Sequence, residues 1–171
     1  MAKFDLYAPI LIAAEGGWSN DPDDAGGATM AGVTIATYRA YRKNKGLPAP
    51  SLADLRRITR DEWAEIMKTL YWDKVKGDQI VSQSVANIWA DWAVNSGASA
   101  ANRRVQKLLG VFQDGIVGAK TLAAANTQPA HLLFARIKSA REVYYRTIAT
   151  GRRYKFLRGW LNRLARFEYV G

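Results

Sequence analysis

The chain opens with apolar residues at helical spacing. Leu6, Ile10 and Ala13 or Ala14 recur along residues 4 to 16, and the Gly16-Gly17 pair ends the pattern, so a helix with those residues on its buried face is expected. Residues 17 to 34 then lose periodicity and fill with Gly, Asp, Asn and Pro. They read as a loop or short hairpin, with Gly26, Gly27 and Gly32 where φ > 0 is needed. No other segment alternates as a strand does. A short helix is expected from the cap-competent Thr34 to Gly46, another from Ser51, and a third opening with Thr59 and Glu62 in capping-box spacing. In "SQSVANIWADWAVNSG" the residues Val85, Ile88, Trp89 and Trp92 share one helical face, while Asn87, Asp91 and Asn95 stack four apart on another.

From Ala98 the pattern becomes two short helices flanking a turn from Gly110 to Gly118, then a long helix from about Pro129 to Thr150 and a last one from about Arg153 to Phe167. The last helix carries Phe156, Trp160, Leu161, Leu164 and Phe167 on one side and Arg152, Arg153, Lys155, Arg158, Arg163 and Arg166 elsewhere. Such a helix can lie on an anionic membrane, but its apolar stripe is expected to face the core. A mainly α fold follows, with a short hairpin or loop after the first helix. The change of character near residue 97 is a subdomain seam, dividing residues 1–96 from residues 97–171 within one globule.

At 171 residues, 49% hydrophobic, with six Trp and eight Tyr, the chain can build its own core. Zero cysteines remove disulfides, zinc-thiolate sites and thiol nucleophiles, and the lone His131 argues against a histidine metal cluster or a serine triad. His131 itself is expected on a helix surface or in a first turn. The longest early apolar run, "YAPILIAA", is interrupted by Pro9, is too short to span a bilayer and lacks a signal-peptide layout. Synthesis in the cytoplasm is therefore expected.

Charge sharpens the picture more than composition does. Residues 1–100 hold 11 Lys and Arg against 12 Asp and Glu, whereas residues 101–171 hold 14 against 3, a net +11 in the C-terminal part. A surface of that kind suits a polyanion such as nucleic acid, anionic lipid or the bacterial envelope. It carries no recognisable base-reading module, so nucleic acid is not the expected partner.

Glu15 is the residue that calls for chemistry. It sits on the last turn of the first helix, where the negative end of the helix dipole disfavours a carboxylate, and it is followed by two glycines. Glycoside cleavage needs a carboxylic acid to protonate the leaving oxygen and usually a second carboxylate as base or nucleophile. Asp21, Asp23 and Asp24 are candidates for the second; Asp24, just before the double glycine, is placed for a hairpin to return it to the helix end.

The stretch "EGGWSNDPDDAGGATMAGVT" resembles the signature of the glycoside hydrolase family 108 muramidases, with Trp18 in place of the usual Tyr and Val33 in place of Ile. The later segment "DWAVNSGASAANRRVQKLLGVFQDGIVGAKTL" is similar to the peptidoglycan-associated region that accompanies this family in phage endolysins and secretion-associated muramidases, and "GWLNR" near the end also fits. The resemblance spans nearly the whole chain. It implies a lysozyme-like fold, hydrolysis of the β-1,4 bond between N-acetylmuramic acid and N-acetylglucosamine, and Glu15 as the essential residue. The chain most resembles a phage endolysin or a close bacterial relative; lacking a signal-peptide layout it would need a holin-type channel, and a monomer acting on bacterial peptidoglycan is expected, its basic C-terminal half drawn to the anionic envelope. No metal or cofactor is required, since two carboxylates and water suffice. Phage-type lysozymes of another family place an Asp after eight intervening residues and a Thr after five more. Asp24 meets the first interval and Thr29 falls one short of the second, so Thr29 and Thr34 both stay open. Trp18, Tyr71 and Trp72 are candidate sugar-stacking rings, and Asn95 is a candidate hydrogen-bond partner for an N-acetyl group or a helix cap. "QDGIVGAKTL" resembles the turn of small peptidoglycan-binding modules, though a tight Asp-Gly turn accounts for the same residues. The rival reading is a non-catalytic, envelope-binding or membrane-perturbing basic protein.

Overall fold

The computed structural model describes residues 1–20 and 28–171, so Asp21, Asp23 and Asp24 lie outside the described residues. The fold is mainly α and lysozyme-like, with one small antiparallel sheet among the described residues. Its elements run α1 (Phe4–Glu15), β1 (Trp18–Ser19), β2 (Thr29–Met30), β3 (Val33–Thr34), α2 (Ile35–Asn44), α3 (Leu52–Arg56) and α4 (Arg60–Met67). A π-helical turn (Lys68–Trp72) and two 3-10 turns lead to α5 (Gln83–Ser96), α6 (Ala98–Leu109), α7 (Ala119–Thr127) and α8 (Ala130–Ile148). A 3-10 stretch (Gly151–Phe156) precedes α9 (Leu157–Ala165). None of these helices is long and apolar enough to cross a membrane.

Two compact units make up the chain, one of residues 7–70 and one of residues 1–6 with 71–171. In the first, local signals set the helix starts. Thr34 caps α2 by accepting from Thr37 N at 3.1 Å. Ser51 with Asp54 and Thr59 with Glu62 each form a reciprocal capping box at the starts of α3 and α4. Each box satisfies amide donors that the first turn leaves without intrahelical partners. The buried side chains of this unit include Leu11, Val33, Tyr38, Leu55, Trp63, Ile66 and Met67.

The face of α1 differs from expectation. Phe4, Tyr7, Ala8 and Leu11 are buried, while Leu6 and Ile10 are 59% and 37% exposed. The helix is apolar almost all round, so two faces satisfy the helical period; the one carrying the two aromatic rings buries more area and wins.

In the second unit α5 is buried on every side from Ser84 to Ala93. Of the polar row Asn87, Asp91 and Asn95, the first two are thus buried and only Asn95 reaches the surface. Asp91 has no exposed surface; its carboxylate accepts from Arg141 Nη2 at 2.8 Å and from Arg163 Nη2 at 2.7 Å. Arg141, also fully buried, donates further to Ile88 O, Asn95 Oδ1 and the Tyr145 hydroxyl. A buried carboxylate is tolerated only with such complete pairing. Arg163 therefore belongs to the interior and not to the polar side of the last helix. That helix begins as a 3-10 turn, which shifts its phase: Leu164 and Phe167 are buried, whereas Phe156 is half exposed. His131 stands exposed in the first turn of α8, its ring edge-on to Tyr169. The Asp114-Gly115 turn is locked by Gln106, which donates to Asp114 Oδ1 at 2.7 Å and accepts from Gly115 N at 2.8 Å.

Candidate active site

Glu15 is the last residue of α1, and Gly16, with φ of 68°, turns the chain out of the helix. Its side chain lies against Gly32. A Cβ added to Gly32 would overlap Glu15 Oε2 and come within 3.0 Å of its Cδ, so only a glycine lets the backbone approach the carboxylate this closely. Glu15 is half-buried, with Oε1 shielded from solvent.

The turn that carries Gly32 is built for this approach. β2 and β3 are joined by Ala31-Gly32, both with positive φ (47° and 81°), the two-residue geometry that matches strand twist. Ala31 takes a conformation that costs a non-glycine residue about 1–2 kcal/mol. Two hydrogen bonds hold it there: its N–H donates to Gly17 O at 3.2 Å, and its carbonyl accepts from Trp63 Nε1 at 2.9 Å. The buried Trp63 on α4 thus fixes the hairpin tip over the end of α1.

Register sorts the remaining candidates. Trp18 pairs with Met30 and Ser19 with Thr29, while Thr29 pairs with Thr34 and Met30 with Val33. Directly paired residues share a face, so Ser19, Thr29 and Thr34 form a row of hydroxyls and Trp18, Met30 and Val33 an apolar row. Thr34 is occupied in capping α2, its Oγ1 3.0 Å from that of Thr37. The Thr29 hydroxyl makes no hydrogen bond among the described residues. Trp18 is half-buried, with the Arg56 guanidinium 4.4 Å from its ring centroid, and with Asn20, Leu52, Ala53 and Arg56 it lines a depression of 290 Å³. One face of that ring is taken by the cation.

The other candidates belong to the unit of residues 71–171. Trp72 is fully buried, its indole N–H donating to Asp78 Oδ1 at 2.8 Å and its ring edge-on to Phe4. It is a core residue and cannot stack on a sugar, which corrects that expectation. Its ring fills the space that Gly77 leaves by lacking a Cβ. Tyr71, half-buried, lies in the π-helical turn. Asn95 is exposed on the last turn of α5 and is not the helix cap, which is Gly97. Its Oδ1 accepts from Tyr145 OH at 2.7 Å and Arg141 Nη2 at 3.1 Å, which leaves its amide nitrogen as the outward donor.

Neither Arg56 nor Trp63 is marked by any pattern in the sequence. The Ala-Gly pair between two short β-prone stretches was the available signal for the hairpin tip, and nothing local marks Trp63 as its anchor.

Glu15 thus stands at a helix end against a hairpin tip in a mainly α, lysozyme-like fold. The Glycosyl hydrolase 108 family model matches residues 8–97 and that of the Predicted Peptidoglycan domain matches residues 100–165. The chain belongs to the glycosyl hydrolase 108 family. Among solved structures it is similar to SagA of Brucella abortus, at 34% identity and a TM-score of 0.81, over 96% of this chain and 90% of that one. No curated protein matches. The protein is a glycoside hydrolase that acts on peptidoglycan.

Proposed function

We propose that the protein is a muramidase, a lysozyme that cleaves the β-1,4 bond between N-acetylmuramic acid and N-acetylglucosamine, with Glu15 as general acid. The observation that carries this is the seating of the Glu15 side chain against Gly32. The turn holds the carboxyl in one place, from which a protonated Glu15 gives its proton to the glycosidic oxygen. As that oxygen leaves with the proton, positive charge develops on the sugar ring and a second carboxylate stabilises it or activates water. We assign that role to Asp24, nine residues on in the sequence and two before Gly26. Thr29, whose hydroxyl is uncommitted among the described residues, is favoured over the capping Thr34 as the hydroxyl that assists. Trp18 offers its remaining face to a pyranose ring. Tyr71 stays a candidate sugar contact, and the outward amide of Asn95 suits an acetamido carbonyl.

In this reading residues 1–96 are the catalytic region and residues 97–171 the peptidoglycan-associated region, whose net +11 attracts the anionic envelope. The biological role we assign is that of a phage endolysin, made in the host cytoplasm, released by a holin-type channel and acting as a monomer on the wall. Analysis of reducing ends after digestion of purified peptidoglycan tests the bond specificity. New muramic acid ends are expected. Glucosamine ends would overturn the specificity, and wall binding without new ends would favour a non-catalytic envelope-binding protein.

A further inference from the structure

A second concavity lies in the unit of residues 7–70, between α2 and α4. It is a cavity of 360 Å³, with the aliphatic groups of Ala40 and Ile66 among its walls, Thr37 from the first turn of α2, and Tyr41, Lys45 and Glu65 as its charged and aromatic members. Lys45 Nζ is 2.5 Å from Glu65 Oε1, and the Tyr41 hydroxyl donates to Glu65 Oε2 at 2.8 Å. The same ammonium lies 5.6 Å from the Tyr41 ring centroid. Burial, then the neighbouring Glu65 carboxylate, pushes the Tyr41 phenol up to about 12, so it remains a donor. Hydrogen bonds from Lys45 and Tyr41 hold Glu65 below the usual carboxylate range. At neutral pH the groove therefore holds one fixed cation beside one fixed anion.

As a clasp between helices this pair does little. Its side chains are 47% and 48% exposed, and ion pairs of that kind contribute about 0–1 kcal/mol. As a receptor it has capacity to spare. An ammonium carries three N–H donors and each carboxylate oxygen can accept more than one hydrogen bond, so neither ion is saturated by its partner. A ligand matching this arrangement bears both charge signs and small apolar groups, which is the chemistry of a short zwitterionic peptide and not of a neutral sugar.

Reach fits as well. Thr37 is bonded to Thr34, in the strand that leads from the hairpin tip packed on Glu15. Thr37 and Lys45 are eight residue steps apart along α2 and its C-cap, about 12 Å, and three to four extended peptide residues span about 10–14 Å.

We propose that this groove binds the peptide stem carried by the muramic acid of the substrate, with a stem carboxylate at Lys45 and a stem ammonium at Glu65. The inference rests on the muramidase reading, and the experiment keeps the two apart. Glycan strands bearing stems are compared with strands from which an amidase has removed them. In parallel, the free tripeptide L-alanyl-γ-D-glutamyl-meso-diaminopimelate is titrated into the isotope-labelled protein and followed by NMR.

The stem-bearing strands are expected to show a KM about tenfold lower at similar kcat, the scale of one charge-assisted contact. Lys45→Gln and Glu65→Gln should each narrow that ratio, and the tripeptide should saturate with shifts centred on Thr37, Tyr41 and Lys45. Ala40→Trp, at an exposed helix position, fills the groove and serves if a charge variant loses its fold. Equal KM for both strands in the native protein, or a ratio that survives all three substitutions, overturns the proposal. Hydrolysis of neither strand overturns the muramidase reading instead, and the titration still decides the groove: absence of saturable shifts there refutes it.

Discussion

Gly32 does two things at once. Its φ of 81° completes the hairpin tip, and its missing Cβ makes room for the Glu15 carboxylate. Gly32→Ala should therefore lower stability by about 1–2 kcal/mol through the left-handed backbone alone. It should also displace the acid, and misplacing a catalytic group by about 1 Å can cost a hundredfold in rate. Thermal unfolding and peptidoglycan turnover measured on the same sample check both parts; full activity would show that the contact with Glu15 is incidental. At this scale the sequence announced Glu15 by its helix-end position and Gly32 by the need for positive φ. It gave no means of seeing that one lies on the other, because that contact depends on how the hairpin folds back.

Among the elements, helix starts were legible and helix faces only in part: the apolar face of Val85, Ile88, Trp89 and Trp92 is buried as expected, whereas Leu6 and Ile10 of α1 are exposed. The capping box of Thr59 and Glu62 is a local pattern of four residues, so spacing reveals it, while at Ser51 only the helix start was read and the structure adds the box with Asp54. The buried face of α5 is set by partners 50 and 72 residues away in α8 and α9, and no window along α5 contains them. Turn chemistry also carries a pH signature. Asp114 is held below its ordinary 3.8 by hydrogen bonds, chiefly from Gln106 and then from Ile116 N. Asp54 is lowered likewise by the Ser51 hydroxyl and backbone. A depressed folded-state pKa means stability that is complete above 3.8 and is lost as pH falls through the lower folded value. Asp114→Asn should flatten the acid limb of a stability–pH profile below pH 3.8, and an unchanged limb in urea titrations would contradict it.

For the whole molecule, the charge asymmetry and the mainly α class came directly from the sequence, while the compact units did not. Their boundaries near residues 6 and 70 fall inside α1 and near the π-helical turn, where the sequence is continuous in character. The Asp91 network is central to the larger unit. Asp91→Ala leaves Arg141 buried beside Arg163 without the carboxylate, and breaking a buried pair in this way costs about 3–5 kcal/mol. A denaturant midpoint near that of the native protein would refute the importance of the pairing. Arg152, Arg153 and Arg158 are exposed and separate from this network. Replacing all three with Gln should raise KM on whole walls and flatten its salt dependence, since the Debye length falls from about 10 Å at 0.1 M to about 3 Å at 1 M. An equal loss on a soluble oligomer would tie these charges to catalysis and not to attachment.

The central claim is that Glu15 is the acid of a muramidase, and one measurement bears on it most directly: kcat/KM of Glu15→Gln on purified peptidoglycan, with far-UV circular dichroism and wall binding recorded on the same preparation. Glutamine keeps the size and the seat against Gly32 but has no acidic proton to transfer. Folding and wall binding should persist while activity falls at least about a hundredfold, the scale on which a general acid contributes. Turnover within a few-fold of the native protein, with the fold intact, would contradict the account.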